Sequence, residues 1–241
     1  MPVTAPEIFE VHDILVAVTR KPIKNLYFRV DISDGRARAS VPLRLSDRDV
    51  RKAIEAHLQW IRNRQAKVLH RQPALVLQFQ TGEQHPVFGR LYPLEVRLVA
   101  SGRSAVKLTA DGTLLMCVRP GLDREGREAL LERWLRSQMH ECISALITKW
   151  QPAMGVSVRE YRIKRMRTRW GTCNIGARRI WLNLELARRP ESCLEYVVVH
   201  EMVHLLEAGH NRRFYTLMDR FLPEWKQVRS LLNSGRSTEI D

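Results

Sequence analysis

Residues 200–210 read HEMVHLLEAGH, so three of the chain's eight histidines and one glutamate fall within a single short span. Successive residues of an α-helix are about 100° apart around its axis, which puts His200 and His204 one turn apart and within about 40° of each other. Both imidazoles then point the same way. Glu201 stands about 100° round from His200, near enough to reach a water held by an ion and too far round to be a ligand itself. That arrangement suits zinc with a carboxylate as general base. Pro190 opens the stretch as a helix start, and Val197, Val198, Val203 and Leu206 are available to bury its other faces.

Catalytic zinc keeps three protein ligands and one open position, so a third ligand is needed. Gly209 is placed to end the helix in a left-handed conformation and let His210 swing back towards the same ion. The histidine spacing matches the extended zinc motif of the metzincins. Their glycine, however, falls three residues after the second histidine, where this chain has Glu207. Metzincin backbone geometry is therefore not expected. His12, His57, His70, His85 and His140 have no comparable company and read as structural or surface groups.

Upstream, residues 14–41 alternate apolar and polar around an SDG turn signal, which predicts a β-hairpin or meander. Ser46 then caps a helix with Val50, Ile54, Leu58 and Ile61 on one stripe. A second set of short strands is expected over residues 75–118, with turns at Thr81-Gly82 and Asp111-Gly112. After Pro120 the texture changes to a long amphipathic helix, residues 124–150, carrying Leu131, Leu135, Met139 and Ile143 at helical spacing. Two strands, residues 156–165 and 178–186, flank the loop WGTCNIGA, and two helical pieces separated by Pro223 come after the histidine motif. The expected organisation is a β-rich region over residues 1–120 with one helix, a second domain over 121–233, and a polar tail over 234–241.

With 44% hydrophobic residues in 241, the chain has enough apolar material for a real core. Acidic residues Glu7, Glu10 and Asp13 interrupt the N-terminus, so it does not read as a secretory signal, and no apolar run reaches membrane-spanning length. Cys117, Cys142, Cys173 and Cys193 form no CxxC pair, which argues against a disulfide framework or a cysteine zinc site. They read as small buried hydrophobes, and a reducing cytoplasm fits them best. Lys plus Arg number 40 against 26 Asp plus Glu, a formal charge of +14. This favours polyanionic neighbours, and the dense run over residues 159–169 is open to two readings, a solvated basic face or a surface for non-specific nucleic-acid or nucleotide contact.

RWGTCN (169–174), IWLNLEL (180–186), LEYVVVHEMVHLLEAGHNRRFY (194–215) and LPEWKQVRSLL near the end together resemble the YgjP-like metallopeptidase family, related to the SprT-like zincins. The resemblance extends upstream through the QWI-ending helix and TGEQHPVFGRLYPLEV (81–96), and so covers most of the chain. It implies an α+β fold with a zincin-like metallopeptidase core. It also implies one zinc ion on His200, His204 and His210, Glu201 as base, and a peptide or protein as substrate. Tyr215 departs from the family, which commonly has tryptophan after the phenylalanine; Phe214 and Tyr215 are expected mainly to pack a helix, with Tyr215 also a candidate hydrogen-bond donor to substrate. Strand IWLNLEL is expected either to offer an edge to an extended peptide or to be an ordinary sheet member. Trp170 and Gly171 read as a tight packed turn, and Glu207 as a group that either orients a ligand histidine or faces solvent. Rival readings are a metal-dependent phosphohydrolase acting on nucleotides and a DNA-associated SprT-like protease.

Overall fold

The computed structural model describes residues 6–31, 34–69 and 77–234. The chain divides into two compact units, Met1–Val76 and Leu77–Asp241.

In the first unit, β1 (Glu7–Val11) and β2 (Ile14–Lys21) form an antiparallel hairpin that turns at His12, where φ is 54°. β3 (Tyr27–Val30) and β4 (Ala37–Pro42) pair antiparallel; Gly35 of the expected SDG turn has a positive φ, while its Ser33 falls outside the described residues. β2 and β4 nevertheless run parallel, giving the order β1-β2-β4-β3 and excluding a plain meander. Strand alternation sends Val16, Val18, Ala37, Ala39 and Val41 to one face, and α1 (Asp47–Leu69) lays Val50, Ile54 and Ile61 on it. Each such side chain contributes roughly 1.5–3 kcal/mol when fully buried. Leu58 is only partly buried. The cap is made as expected, with Asp49 N donating to Ser46 Oγ at 3.2 Å.

Among the described residues the second unit holds two small mixed sheets and four α-helices, an α+β architecture as the sequence implied. β5 (Gln84–Val87), β6 (Arg90–Leu98), β7 (Ala105–Leu108) and β8 (Leu114–Val118) form a sheet of order β5-β6-β8-β7. Turns occur at both expected places, with positive φ at Gly82 and Gly112, and also at Phe88-Gly89, where the sequence pattern predicts none. α2 (Arg124–Met154) starts at the N-cap Asp123 and ends at Gly155 in the left-handed region. Its buried stripe of Leu131, Leu135, Met139 and Ile143 shares one core with Leu94, Leu114, Met116 and Val118 from the preceding sheet. The units therefore part between Val76 and Leu77 and not at the change of texture near Pro120, because the strands before Pro120 bury their apolar face in the same core as the helices after it.

β9 (Glu160–Lys164), β10 (Gly171–Asn174) and β11 (Arg179–Asn183) form the second sheet, in the order β10-β11-β9. Two expectations change here. The segment WGTCNIGA is largely strand, since β10 pairs antiparallel with β11. The end of IWLNLEL is a short 3-10 turn, Leu184–Arg188, that starts where the Asn183 side chain accepts from Glu185 N. α3 (Glu191–Val203), α4 (Arg212–Phe221) and α5 (Trp225–Asn233) complete the unit. In the hairpin turn, a Cβ on Gly89 would meet Pro190 atoms at 2.8–3.0 Å, and Phe88 N donates to Ala187 O at 2.7 Å. The β5–β6 hairpin thus presses on the first residue of the turn into α3.

Candidate active site

α3 is apolar on nearly every side: Leu194, Val197, Val198, Val199, Met202 and Val203 are all buried. Its run of three valines is a poor helix former in isolation, so core packing and not propensity holds it. Against this apolar helix stand His200 and Glu201. Burial pushes the His200 imidazole down to about 3, helped by His204, His210 and the Arg229 guanidinium, so the ring is neutral with a lone pair to offer. Burial also lowers His204.

The helix ends one residue before His204, which is its C-cap with ordinary right-handed angles. His204 Nδ1 lies 3.2 Å from the Glu207 carbonyl oxygen; a carbonyl only accepts, so the ring donates from Nδ1 and keeps the Nε2 lone pair free. The orienting group at Glu207 is therefore its backbone, while its carboxylate lies 3.8 Å from Arg213. Gly209 does not have a positive φ, and an added Cβ there would meet nothing within 4 Å. The chain is reversed instead by a tight turn, with Leu206 N donating to Val203 O at 2.8 Å, and by Asn211, whose Oδ1 accepts from Phe214 N at 3.0 Å to cap α4. His210 stands just before that cap and is thereby returned to the other two histidines.

The three rings do converge. One ligand nitrogen from each of His200, His204 and His210 lies within 4.8 Å of the others, and the Nε2 atoms of His200 and His210 are 3.1 Å apart. Tetrahedral zinc with bonds of about 2.05 Å separates its nitrogen ligands by about 3.3 Å, so the donor set suits such an ion in chemistry and in spacing. Phe214, 1% exposed, forms the floor beneath all three imidazoles, with ring centroids 4.9, 4.8 and 4.6 Å from His200, His204 and His210. Its packing role is thus part of the site. Among the remaining histidines, His85 and His140 belong to no such group, His12 and His57 lie in the first unit, and His70 falls outside the described residues.

Glu201 is 5% exposed, and burial pushes its carboxyl up to about 8, opposed only by the Arg169 guanidinium. Gly171 lies directly over it: a Cβ there would come within 2.8 and 2.9 Å of the Glu201 Cγ and Cδ. The glycine at the start of β10 is therefore dictated by close approach to Glu201. β11, the strand expected to offer an edge, is central in its sheet and paired on both sides; the outer strand beside the site is β10.

Asn183, completely buried, fastens the segment that precedes β10. Its Nδ2 donates to Met166 O and Arg169 O, each at 2.8 Å, its Oδ1 accepts from Met166 N and Glu185 N, and its own N donates to Trp170 O at 2.8 Å. A pocket of about 310 Å³ opens over the histidines and Glu201, between this segment and α5. Trp225 forms part of its wall, stacked between Tyr196 (6.4 Å, 7°) and Tyr215 (5.5 Å, 13°). Neither Trp225 nor Tyr196 stands out in the sequence, where a lone aromatic on a helix gives no sign of facing a cavity. Of the basic run, Arg165 pairs with Glu132 at 3.0 Å and Lys164 Nζ lies 3.3 Å over the Trp181 ring, so part of its charge is spent within the fold. Cys193 is buried as expected, whereas Cys117, Cys142 and Cys173 are half-exposed. No helix among the described residues is long and apolar enough to cross a membrane.

A sequence profile described as "YgjP-like, metallopeptidase domain" matches residues 24–235. No curated protein sequence matches the chain. Among solved structures, the crystal structure of the metallopeptidase zymogen of Pyrococcus abyssi abylysin aligns at 16% identity with a TM-score of 0.38, over 41% of this chain and 99% of that one, a likeness too distant to bear on the site.

Proposed function

The chain belongs to the YgjP-like metallopeptidase family, and on that premise we infer that it is a zinc-dependent peptidase with His200, His204 and His210 as ligands and Glu201 as general base. The observation that supports this reading is the convergence of three imidazoles beside one buried carboxylate. A divalent ion held there supplies Lewis acidity, both to a substrate carbonyl and to a water molecule. Glu201, kept protonated by burial, would take its carboxylate form beside a cation held by the three histidines. Glu201 then takes the proton of the attacking water on its carboxylate and returns it to the amine that leaves. The β10 segment over Glu201 keeps that side chain in place, and the outer edge of β10 is where an extended peptide would lie, its backbone pairing along the strand.

The phosphohydrolase alternative has less behind it, since the clustered metal-ligating groups among the described residues are three imidazoles with no second-metal carboxylate set. Glu201→Gln is expected to retain stoichiometric zinc and lose about 10²- to 10⁴-fold in the rate of casein digestion. His204→Ala is expected to lose the zinc itself. Metal analysis and digestion assays on the two variants decide the matter: undiminished cleavage by the first, or full occupancy in the second, sinks the assignment.

A further inference from the structure

The sheet of the first unit is covered on one face only. α1 packs on Val16, Val18, Ala37, Ala39 and Val41, and the strand register lays three rows of side chains across the opposite face. One row is Ile8, Ala17, Arg38 and Arg29; the next is Thr19, Ser40 and Tyr27; the third is Lys21 and Pro42. Tyr27 is 57% exposed and Ile8 63%. Arg29 and Arg38 stand directly opposite each other on β3 and β4, and like charges so placed repel and weaken a strand pair. The strands β2, β3 and β4 come from residues 14–30 and 35–46, two segments that hold seven basic residues and no acidic one. Ion pairs engage Arg20 with Glu7 and Asp47, Arg36 with Asp34, and Arg38 with Asp31. Lys21, Lys24, Arg29 and Arg44 are exposed and have no ion pair among the described residues. An open phenol ring thus lies in a row between two others, one carrying Arg29 and the other Lys21.

We propose that this uncovered sheet face binds single-stranded nucleic acid, with a base stacked on Tyr27 and phosphates held by Arg29 and Lys21 to either side. The surface uses no residue of the second unit and is independent of the peptidase reading. A single strand alternates planar bases with phosphates, and every base has a π-face that stacks on an aromatic ring whatever its sequence. The hydroxyls of Thr19 and Ser40, in the same row as Tyr27, are of the kind that bond sugar and phosphate oxygens. A duplex keeps its bases stacked inside and offers none of them to a flat sheet. An acidic peptide would neutralise the cations and leave the ring without a partner.

The test measures fluorescence anisotropy of labelled oligothymidylate and oligouridylate, each of about twelve nucleotides, with the full chain over a range of salt from about 50 to about 200 mM. Both strands are expected to bind, about tenfold more tightly than a duplex of the same length. Tyr27→Ala should weaken binding about tenfold at every salt concentration and leave the slope of log affinity against log salt unchanged, because stacking releases no counterions. Tyr27→Phe, which keeps the ring, should bind as the parent does. Arg29→Gln should instead make the slope shallower by about 0.7, the loss of one phosphate contact. Both side chains are exposed and face away from α1, so these variants leave the core as it is. Arg167→Gln, in the basic run of the second unit, should alter neither quantity. Absence of binding at the lowest salt overturns the proposal, as does binding that Tyr27→Ala and Arg29→Gln leave untouched. Displacement of the oligonucleotide by an equal concentration of a polyglutamate peptide of the same charge also overturns it, in favour of an acidic protein partner.

Discussion

Gly171 and Asn183 do by contact what His200, Glu201 and His204 need done for them. Glycine at the first position of β10 leaves room for the Glu201 side chain, and any Cβ would have to displace it. Gly171→Ala is therefore expected to keep zinc stoichiometry while lowering peptide cleavage by about 10²-fold, the scale of loss that a displacement of about 1 Å brings to a positioned group. Metal analysis alongside kcat checks it, and an alanine variant of full activity would show that Glu201 is not held from that side. Asn183 satisfies two carbonyls and two amides in a buried region, so Asn183→Leu is expected to destabilise the fold by roughly 2–3 kcal/mol in urea denaturation. His200, His204 and the offset Glu201 are legible at this scale in the sequence, since helical spacing places them, whereas His210 depends on the turn that follows α3. Gly171 is not legible, because the atom it avoids lies thirty residues away along the chain.

The β5–β6 hairpin braces the entry to α3, and it carries a buried histidine whose pKa is held below its ordinary value. His85 on β5 is completely buried, stacks on Phe79 at 5.3 Å, and has Glu83 Oε2 3.3 Å from Nε2 without an aligned hydrogen bond. Burial lowers its pKa below the ordinary 6.5, the Glu83 carboxylate works against that shift, and the Arg188 guanidinium adds to it. The folded protein thus holds His85 neutral, whereas the unfolded chain takes up a proton near pH 6.5. Its contribution to stability is complete above that pH and is lost as pH falls below it, at up to about 1.4 kcal/mol per pH unit for one proton. Denaturation curves between pH 7.5 and pH 5 should be less steep in pH for His85→Phe than for the parent protein; parallel curves would refute this. The hairpin also shows why element boundaries are only partly legible. Alternation reveals the strands, but the turn at Phe88-Gly89 is fixed by its fit against Pro190, which lies outside any local window. β10 is likewise hidden, because a four-residue strand rich in Gly, Thr and Asn reads as a loop until β11 pairs with it.

Two hydrophobic clusters, one in each compact unit, give the whole molecule separate sources of cooperativity. Calorimetry is expected to resolve two transitions. Zinc present at a hundred times its dissociation constant should add about 2.7 kcal/mol to the transition of Leu77–Asp241 and leave that of the other unit in place, with a chelator reversing the shift. A single transition that moves as one with zinc would contradict this. The matched profile spans residues of both units, so the family likeness itself does not mark where one core stops and the next begins.

What the sequence determined by itself was whatever depends on neighbours within one or two turns: the facing pair His200 and His204, the offset Glu201, the stripes of α1 and α2, the cap at Ser46. Helical and strand periods are local properties of the backbone, and they survive without knowledge of the fold. Only the tertiary structure decided that His210 returns through a turn after Val203 and the Asn211 cap and not through Gly209, that β11 is central and β10 outermost, and that Arg229 and Tyr196 share the histidines' pocket. Those facts are distances between segments far apart along the chain, set by how buried faces pack, and no spacing along the sequence encodes them.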